Sequence, residues 1–579
     1  NVKLFSSAAA LALLGSEYRF ETEFLAEKPA VRGTPLLTPQ GELKGNLFVR
    51  GKGDPSITNE RLWGIVNELY HAGLRKVSGD LVLDDSYFDE ELNGPGFDQE
   101  RSDRSYMAPP AALSLNWNTV AIYVGPGESA GAKARVELEP QSDFFVVESR
   151  AVTGAPRQLR RVSASSLPAG NQQRIVVTGR VPVGQYTSAM WKKIDNPTFY
   201  FGHSLRQALE LRGIKVKGKI RKGRAPDPAQ ALYVHHSEPL DLILKRVNKN
   251  SSNFTAEMLV KTLGAQFRGV PGSWISGIDV IEQFLAEQVG IPRGTYVMKN
   301  GSGLNDTNRF SAAQTCKLLR HMYARFPLQP EFLSSLGIAG KDGTLHSRMA
   351  GTDAVGNLRA KTGTLENVSA LSGYVQTKGG ERFVFSLMVN DFPGRTAPVV
   401  AGLDAIGASI AELGGPGGPA AGLAKAMGPP PKAGTEAELK ARITTYETLA
   451  AMADPRNLTF LRTALRNEPD PALKALVADA MFRSDPEDGA TARALLDTFD
   501  PGPDVLGRLR RVSKEMVLPT PLLGSLARIA AEGNGEALSR MVELAALARQ
   551  DAGLAGELMD PLTEISRNAP DELIVTLKA

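Results

Sequence analysis

The sequence has little of what disulfide frameworks and metal centres require. A single cysteine, Cys316, occurs in 579 residues, so no internal disulfide can form, and a buried apolar role in a predicted helix is favoured for it. The six histidines show no HExxH or other metal-ligand spacing, and paired cysteines are absent. We therefore expect no metal and no cofactor.

Long apolar runs and a strong charge of one sign are also missing. The longest apolar run, residues 4–14, is far shorter than the ~20 residues that cross a bilayer, so it predicts a buried helix closed by Gly15 and no transmembrane segment. A net charge of +4 without a basic run argues against a nucleic-acid partner. No signal peptide is visible, but the chain begins with Asn, so we expect that processing or truncation has removed what came before.

Changes in pattern divide the chain into four parts. Residues 1–25 and 230–412 combine apolar helices with strands, and residues 26–229 are predicted to be one or two inserted, mostly β modules with an antiparallel region between residues 120 and 181. Residues 413–433 are a Gly/Pro-rich linker by composition. In residues 434–579, Asp-Pro recurs at 454, 470, 485 and 500. Because Asp suits the N-cap and Pro the first helical turn, this spacing predicts an all-α, repeat-like domain.

Two short polar segments stand out in the first part. Ser251-Ser252-Asn253 lies between a helix over residues 240–247 and a helix over 255–263 that we expect Gly264 to cap; it is either a helix cap or a site. Lys361-Thr362-Gly363, followed by Thr364, opens a predicted strand. A cation, a hydroxyl and a glycine in succession make an anion-binding edge that a substrate can approach closely, although a turn between strands is the alternative.

These segments belong to one known set of motifs. Serine acyl transfer needs a nucleophile, a base, a proton relay and an oxyanion pocket. Ser-x-x-Lys, Ser-x-Asn and Lys-Thr-Gly supply these groups in β-lactamases and penicillin-binding proteins. The chain carries the second and third motifs, and Asn1-Val2-Lys3 at its start corresponds to the last three positions of the first.

The sequence resembles the low-molecular-mass class C penicillin-binding proteins, the D-alanyl-D-alanine carboxypeptidase/endopeptidase family. Beyond the motifs, blocks similar to those of the family occur in order at residues 46–55, 79–86, 106–113, 301–304, 340–345 and 361–365. The resemblance covers about residues 1–412 and includes the long insert between the first two motifs. It implies an α+β fold in which an acyl-transfer domain, formed by residues 1–25 and 230–412, packs helices against an antiparallel sheet.

The resemblance also implies roles. Lys3 would be the general base for a serine expected directly before Asn1, because an i,i+3 relation puts both on one helix face. Ser251 would relay a proton to the leaving amine, and Asn253 would hold Lys3 or the substrate amide. The substrate would be a peptidoglycan stem peptide or cross-link outside the cytoplasm, in the periplasm, and β-lactams would be covalent inhibitors.

The Lys-Thr-Gly strand would bind the other end of the substrate. Lys361 and Thr362 would hold the terminal carboxylate, Gly363 would allow close approach, and the backbone N–H of Thr364 would be one oxyanion donor. Asp306 stands where relatives often carry a basic residue after Gly-Ser-Gly-Leu-x, and Glu366 follows the Lys-Thr-Gly-Thr-Leu stretch. If both face the stem-peptide side chain they would favour an amidated or cationic group, whereas two solvated loop acids are the alternative.

Two other classes of protein stay open at this point. The same fold without a nucleophile would be a non-catalytic peptidoglycan- or partner-binding module, with the C-terminal helices as the protein interface. A β-lactamase would use the same motifs, but the long insert and the lack of a clear deacylating carboxylate motif argue against it.

Overall fold

This computed structural model describes residues 1–29, 31 and 34–413, and in the C-terminal part 442–443, 445–446, 449–450, 453, 455–468, 470–498, 520–532 and 534–548. The helices of at least seven residues are α1 Lys3–Leu14, α2 Asn59–His71, α3 Pro197–Arg212, α4 Leu240–Asn248, α5 Asn253–Arg268, α6 Trp274–Phe284, α7 Ala312–Ala324, α8 Gln329–Ser335, α9 Thr396–Glu412, α10 Leu458–Asn467, α11 Pro471–Ser484, α12 Gly489–Thr498, α13 Thr520–Ala531 and α14 Gly535–Ala548.

The strands are, in chain order, β1 Glu21–Glu27, β2 Glu42–Leu43, β3 Leu47–Gly51, β4 Lys76–Val77, β5 Leu81–Asp84, β6 Thr119–Gly125, β7 Arg135–Glu139, β8 Phe145–Ser149, β9 Val152–Gly154, β10 Arg161–Ala169, β11 Gln172–Pro182, β12 Ser188–Lys193, β13 Lys215–Val216, β14 Ile220–Lys222, β15 Ala229–His236, β16 Gly337–Ile338, β17 Leu358–Leu365, β18 Val368–Gln376 and β19 Arg382–Asn390. The chain forms two compact units, Asn1–Val375 with Phe383–Ala405, and Gln376–Arg382 with Ile406–Ala579.

Helix α1 is the buried centre of the first unit's helical cluster. Its Ala- and Leu-rich sequence favours a helix, and Gly15 ends it with a φ of 87°. Leu4, Phe5 and Leu11 are fully buried in a core shared with α4 to α8. The short apolar run is therefore a core helix, as its length predicted. No helix within the described ranges has the length and apolar character needed to cross a membrane.

Helices α5 and α6 pack closely because two glycines face the contact. The sequence predicted that Gly264 caps α5, but this helix continues to Arg268 and Gly264 lies inside it. A Cβ on Gly264 would be 2.3 Å from the Ser276 Oγ, and a Cβ on Gly277 would be 1.9 Å from the Val260 carbonyl oxygen. The glycine signal marks close helix packing here instead of a helix end.

The sheet beside this cluster has the order β16-β17-β18-β19. Strands β17 and β18 pair antiparallel along their whole length, with Lys361 opposite Ser372. On the other side, β16 pairs only with Arg359 and Ala360. Among the described strands, residues 361–365 of β17 therefore have an open backbone edge.

The inserted region contains parallel pairs that the sequence analysis did not predict. Strand β5 pairs in parallel with β3 and β14, and β11 pairs in parallel with β8 and β9. The prediction of an antiparallel region between residues 120 and 181 is correct for β6 with β7 and wrong for β8 with β11, because alternation along a strand does not reveal its partner's direction. The predicted domain boundary after residue 25 falls inside strand β1, which pairs with β15. The division into domains stays a prediction.

The described residues of the second unit that follow residue 406 are mostly helical. Helix α11 packs against α10, α12 and α13, and its apolar side joins a core that includes Leu461, Leu473 and Val477. Asp470 accepts a hydrogen bond from the Leu473 N–H at the start of α11, as the Asp-Pro pattern predicts. The pair at 485 instead lies in a turn, and α12 begins at Gly489. The residues at 454 and 500 and those of the predicted linker after 413 lie outside the described residues, and the repeat-like arrangement stays a prediction.

Candidate active site

All nine residues selected from the sequence line one cleft of about 810 Å3 in the first unit. They are Lys3, Ser251, Asn253, Asp306, Lys361, Thr362, Gly363, Thr364 and Glu366. They come from the start of α1, the segment that enters α5, the loop before α7, strand β17 and the turn that follows it. The tertiary fold therefore brings together segments that are more than 50 residues apart in the sequence.

Lys3 lies at the base of this cleft and is only 7% exposed. Its Nζ donates to the Asn253 Oδ1 at 2.7 Å and to the Ser302 carbonyl oxygen at 2.8 Å. Burial lowers the pKa of Lys3 to about 8, while the charge of Glu257 acts in the opposite direction. A substantial fraction of neutral amine is thus available near neutral pH, as a general base requires.

Lys361 is the second buried amine and is 1% exposed. Its Nζ donates to the Ser251 Oγ at 2.9 Å and to the Thr362 carbonyl oxygen at 2.7 Å. Burial and the nearby charge of Lys3 hold the pKa of Lys361 well below its usual value. An anionic group entering the cleft would favour the charged form of this amine.

The segment 251–253 is both a helix cap and part of the cleft. The Ser252 Oγ accepts from the Thr255 N–H at 3.2 Å and thereby caps α5. Ser251, with a φ of 59°, points its hydroxyl to Lys361, and Asn253 points to Lys3. The positive φ is a conformation that costs free energy for a residue other than glycine, and such strain is common at functional sites.

Strand β17 forms the opposite wall. The Thr362 Oγ1 donates to the Thr344 Oγ1 at 2.9 Å, which fixes the threonine side chain. A Cβ on Gly363 would be 3.2 Å from the Asn1 backbone nitrogen, so a glycine lets α1 start close to the strand. Beyond the short β16 pairing, the strand edge is open to an extended chain.

Sequence analysis missed Glu257, which acts on Lys3 indirectly, through the loop that contains Ser302. This residue is fully buried on α5. Its two carboxylate oxygens accept from the N–H groups of Gly301 and Ser302 at 2.9 and 2.8 Å, and from the Trp274 Nε1–H at 2.8 Å. Glu257 thus orients the loop whose Ser302 carbonyl contacts Lys3. The i,i+4 spacing from Asn253 was the signal that could have identified it.

The mouth of the cleft is acidic. Asp306 and Glu366 both line it, together with Glu100 and Asp391. Asp306 is solvent-exposed and forms an ion pair with Arg309 at 2.7 Å, so part of its charge is offset. In the described part of the chain, no group of three His, Cys, Asp or Glu residues could hold a metal ion.

Comparison with known proteins identifies the family of this chain. A family model described as D-Ala-D-Ala carboxypeptidase 3 (S13) matches residues 1–405. The chain belongs to the S13 family. The resemblance to D-alanyl-D-alanine carboxypeptidases inferred from the motifs is confirmed.

Relatives of this S13 chain carry the same description. It is 34% identical over 429 residues to the D-alanyl-D-alanine carboxypeptidase of Actinomadura sp. strain R39, covering 72% of this chain and 77% of that protein. It is 27% identical over 392 residues to the D-alanyl-D-alanine carboxypeptidase DacB of Haemophilus influenzae, covering 67% and 79%. The crystal structure of penicillin binding protein 4 (dacB) from H. influenzae matches with a TM-score of 0.59 at 26% identity, over 69% of this chain and 88% of that one.

Proposed function

We propose that the protein is a serine-type D-alanyl-D-alanine carboxypeptidase and endopeptidase that acts on peptidoglycan stem peptides and cross-links and is acylated by penicillins. The observation that carries this proposal is that two buried lysine amines lie in one cleft, one hydrogen-bonded to an asparagine and the other to a serine. Lys3 contacts Asn253, and Lys361 contacts Ser251, all in one cleft beside an open strand edge. We further propose that it acts outside the cytoplasm, in the periplasm.

In the first step, the nucleophile would be a serine directly before Asn1. Its hydroxyl proton passes to the neutral amine of Lys3 while its Oγ bonds to the carbonyl carbon of the penultimate D-alanine. The backbone N–H groups of that serine and of Thr364 would stabilise the oxyanion. Lys361 and Thr362 would hold the terminal carboxylate, and the substrate backbone would extend along β17.

In the second step, the C–N bond to the terminal D-alanine breaks. Ser251, hydrogen-bonded to Lys361, would pass a proton to the leaving amine. The proton that Lys3 gained during acylation replaces the one that Ser251 gave up, so Lys3 is neutral again when water attacks the ester carbonyl. Lys3 then takes a proton of that water and returns it to the serine Oγ as the ester C–O bond breaks. An endopeptidase reaction differs only in the group attached to the leaving amine.

The test is the intact mass of the native-length protein, including the residue before Asn1, after incubation with a penicillin. We expect one covalent adduct on the peptide that contains Lys3, and none in a Lys3→Gln variant. Lys261→Met is the matched control, because Lys261 is equally buried but pairs with Asp89 outside the cleft. A folded wild-type protein without an adduct would favour the alternative, a catalytically inactive peptidoglycan- or partner-binding module.

The acidic mouth supports a proposal about specificity. Asp306 and Glu366 would disfavour a stem peptide with a free side-chain carboxylate and favour an amidated or cationic one. Asp306→Arg should then increase the relative kcat/KM for the carboxylate form. An unchanged preference would contradict this proposal.

The C-terminal helices are proposed as the surface for a protein partner. A pull-down with and without residues 434–579 would test this.

A further inference from the structure

A second concave site lies in the inserted region, away from the cleft residues. Helices α2 and α3, together with β6, β7 and the two residues that follow β7, form a groove of about 560 Å3. This volume is typical of sites for small ligands. Trp63 from α2 and Tyr123 from β6 line it, and Trp63 is 42% exposed. A large aromatic ring left open to solvent in a groove offers a flat apolar surface for a ligand.

A buried hydroxyl in the groove has no partner. Ser204 on α3 is 4% exposed, and its Oγ has no hydrogen-bond partner in the part of the chain that the structure describes. A buried polar group without a partner costs about 1–3 kcal/mol, so its presence at the wall of a groove needs an explanation. Ser204 lines the same groove as Trp63. The Oγ itself is shielded from solvent, so a ligand hydroxyl or amide would reach it only after the wall of the groove shifts.

The other polar groups of the groove are acceptors and amides. Glu137 and Glu139 occupy alternate, exposed positions of β7 and therefore share one side of the strand. The Glu139 carboxylate raises the pKa of Tyr123 through its charge and through a hydrogen bond with the phenol. Gln207 lies one turn after Ser204 on α3 and adds an amide. Two carboxylates would repel a phosphate or another anion.

We propose that this groove binds an oligosaccharide of N-acetylated amino sugars, the chemistry of the glycan strand to which stem peptides are attached. The choice of sugar rests on the proposed function. A sugar ring has one apolar C–H face, which would stack on Trp63, and hydroxyl groups that both donate and accept. Those hydroxyls match the carboxylates of β7 and the side-chain amide of Gln207. The insert would thereby hold the glycan while the peptide occupies the cleft.

The probe is the tetramer of N-acetylglucosamine, titrated into the full chain by isothermal calorimetry and followed by saturation-transfer NMR. We expect saturable binding, weakened at least tenfold by Trp63→Ala and several-fold by Gln207→Ala. Phe326→Ala is the matched control, because Phe326 is an exposed aromatic residue, at 81%, that does not line the groove. Thermal unfolding of each variant verifies its fold.

Two results would overturn the proposal: no binding of the tetramer by the wild type at millimolar concentration, or equal binding by the Trp63 and Phe326 variants. Binding of a lysine-rich peptide to the groove in place of the sugar would also overturn it. Penicillin acylation of the same wild-type preparation separates this inference from the proposed function. If the protein binds the sugar in a manner that depends on Trp63 but is not acylated, the proposed sugar site is supported and only the proposed peptidase activity is refuted.

Discussion

Replacing Glu257 by glutamine should shift the pH dependence of acylation to lower pH. Lys3 must be neutral to accept the proton of the nucleophile, so the rate rises with pH as Lys3 deprotonates, with a midpoint at its pKa of about 8. The negative charge of Glu257 favours protonated Lys3. Removing that charge therefore lowers the pKa of Lys3 and moves the midpoint down.

The structure allows the size of this shift to be worked out. Ser302 links the two groups, since its N–H donates to Glu257 at 2.8 Å and its carbonyl oxygen accepts from Lys3 at 2.8 Å. A separation of ~7 Å and an effective dielectric constant of ~20–40 correspond to about 1.2–2.4 kcal/mol, or roughly one to two pKa units. The midpoint in Glu257→Gln should thus fall to roughly pH 6–7. Because the amide nitrogen of glutamine donates and does not accept, one of the two loop N–H groups loses its acceptor, and the plateau rate should also fall, by about tenfold.

The assay is the second-order rate constant of penicillin acylation between pH 5 and 10, measured by stopped flow on the native-length protein. Glu257→Asp is the control, because it keeps the charge and shortens the side chain: its plateau should fall while its midpoint stays near that of the wild type. A midpoint in Glu257→Gln that is unchanged or higher than in the wild type would refute the electrostatic link between Glu257 and Lys3.

Four further substitutions have expected effects that follow from their surroundings in the structure. Lys361→Met should raise KM for an acyl-D-Ala-D-Ala substrate at least tenfold, since a charge-assisted hydrogen bond contributes about 1.5–3 kcal/mol. Gly363→Ala should slow acylation about tenfold with a small change in Tm, because its Cβ would lie 3.2 Å from the Asn1 nitrogen and displace the start of α1. Gly277→Ala should destabilise the fold by about 3 kcal/mol or more, because its Cβ would lie 1.9 Å from a carbonyl oxygen of α5. Gly64→Ala, in an exposed part of α2 with nothing within 4 Å of the added Cβ, should stabilise it by about 0.5–1 kcal/mol.

Steady-state kinetics, stopped-flow acylation and urea unfolding measure these effects in turn. An unchanged KM in Lys361→Met would contradict the assignment of the substrate carboxylate to this lysine. If Gly363→Ala is acylated at the same rate as the wild type, then α1 and β17 can move apart without an effect on acylation. Equal unfolding free energies for the two glycine variants in helices would contradict the packing argument for α5 and α6.

Local signals in the sequence predicted most of the elements that form the cleft. The apolar run of residues 4–14 is long enough for a core helix and too short for a bilayer, and it is helix α1. The alternation after residue 358 is strand β17. These predictions succeeded because periodicity and length are properties of a single segment. Gly264 was misjudged because a glycine inside a helix and a glycine at its end look the same until the neighbouring helix is known.

By itself the sequence determined which chemical groups the protein has: two lysines, a serine and an asparagine in motifs of serine acyl transfer, with the order and spacing of an S13 chain. Only the tertiary structure decided what surrounds them. The burial that lowers the pKa of Lys3, the loop held by Glu257 and the partnerless hydroxyl of Ser204 each depend on residues far apart in the chain. Desolvation and hydrogen-bond partners are set by neighbours in space, and no local pattern encodes which neighbours those are.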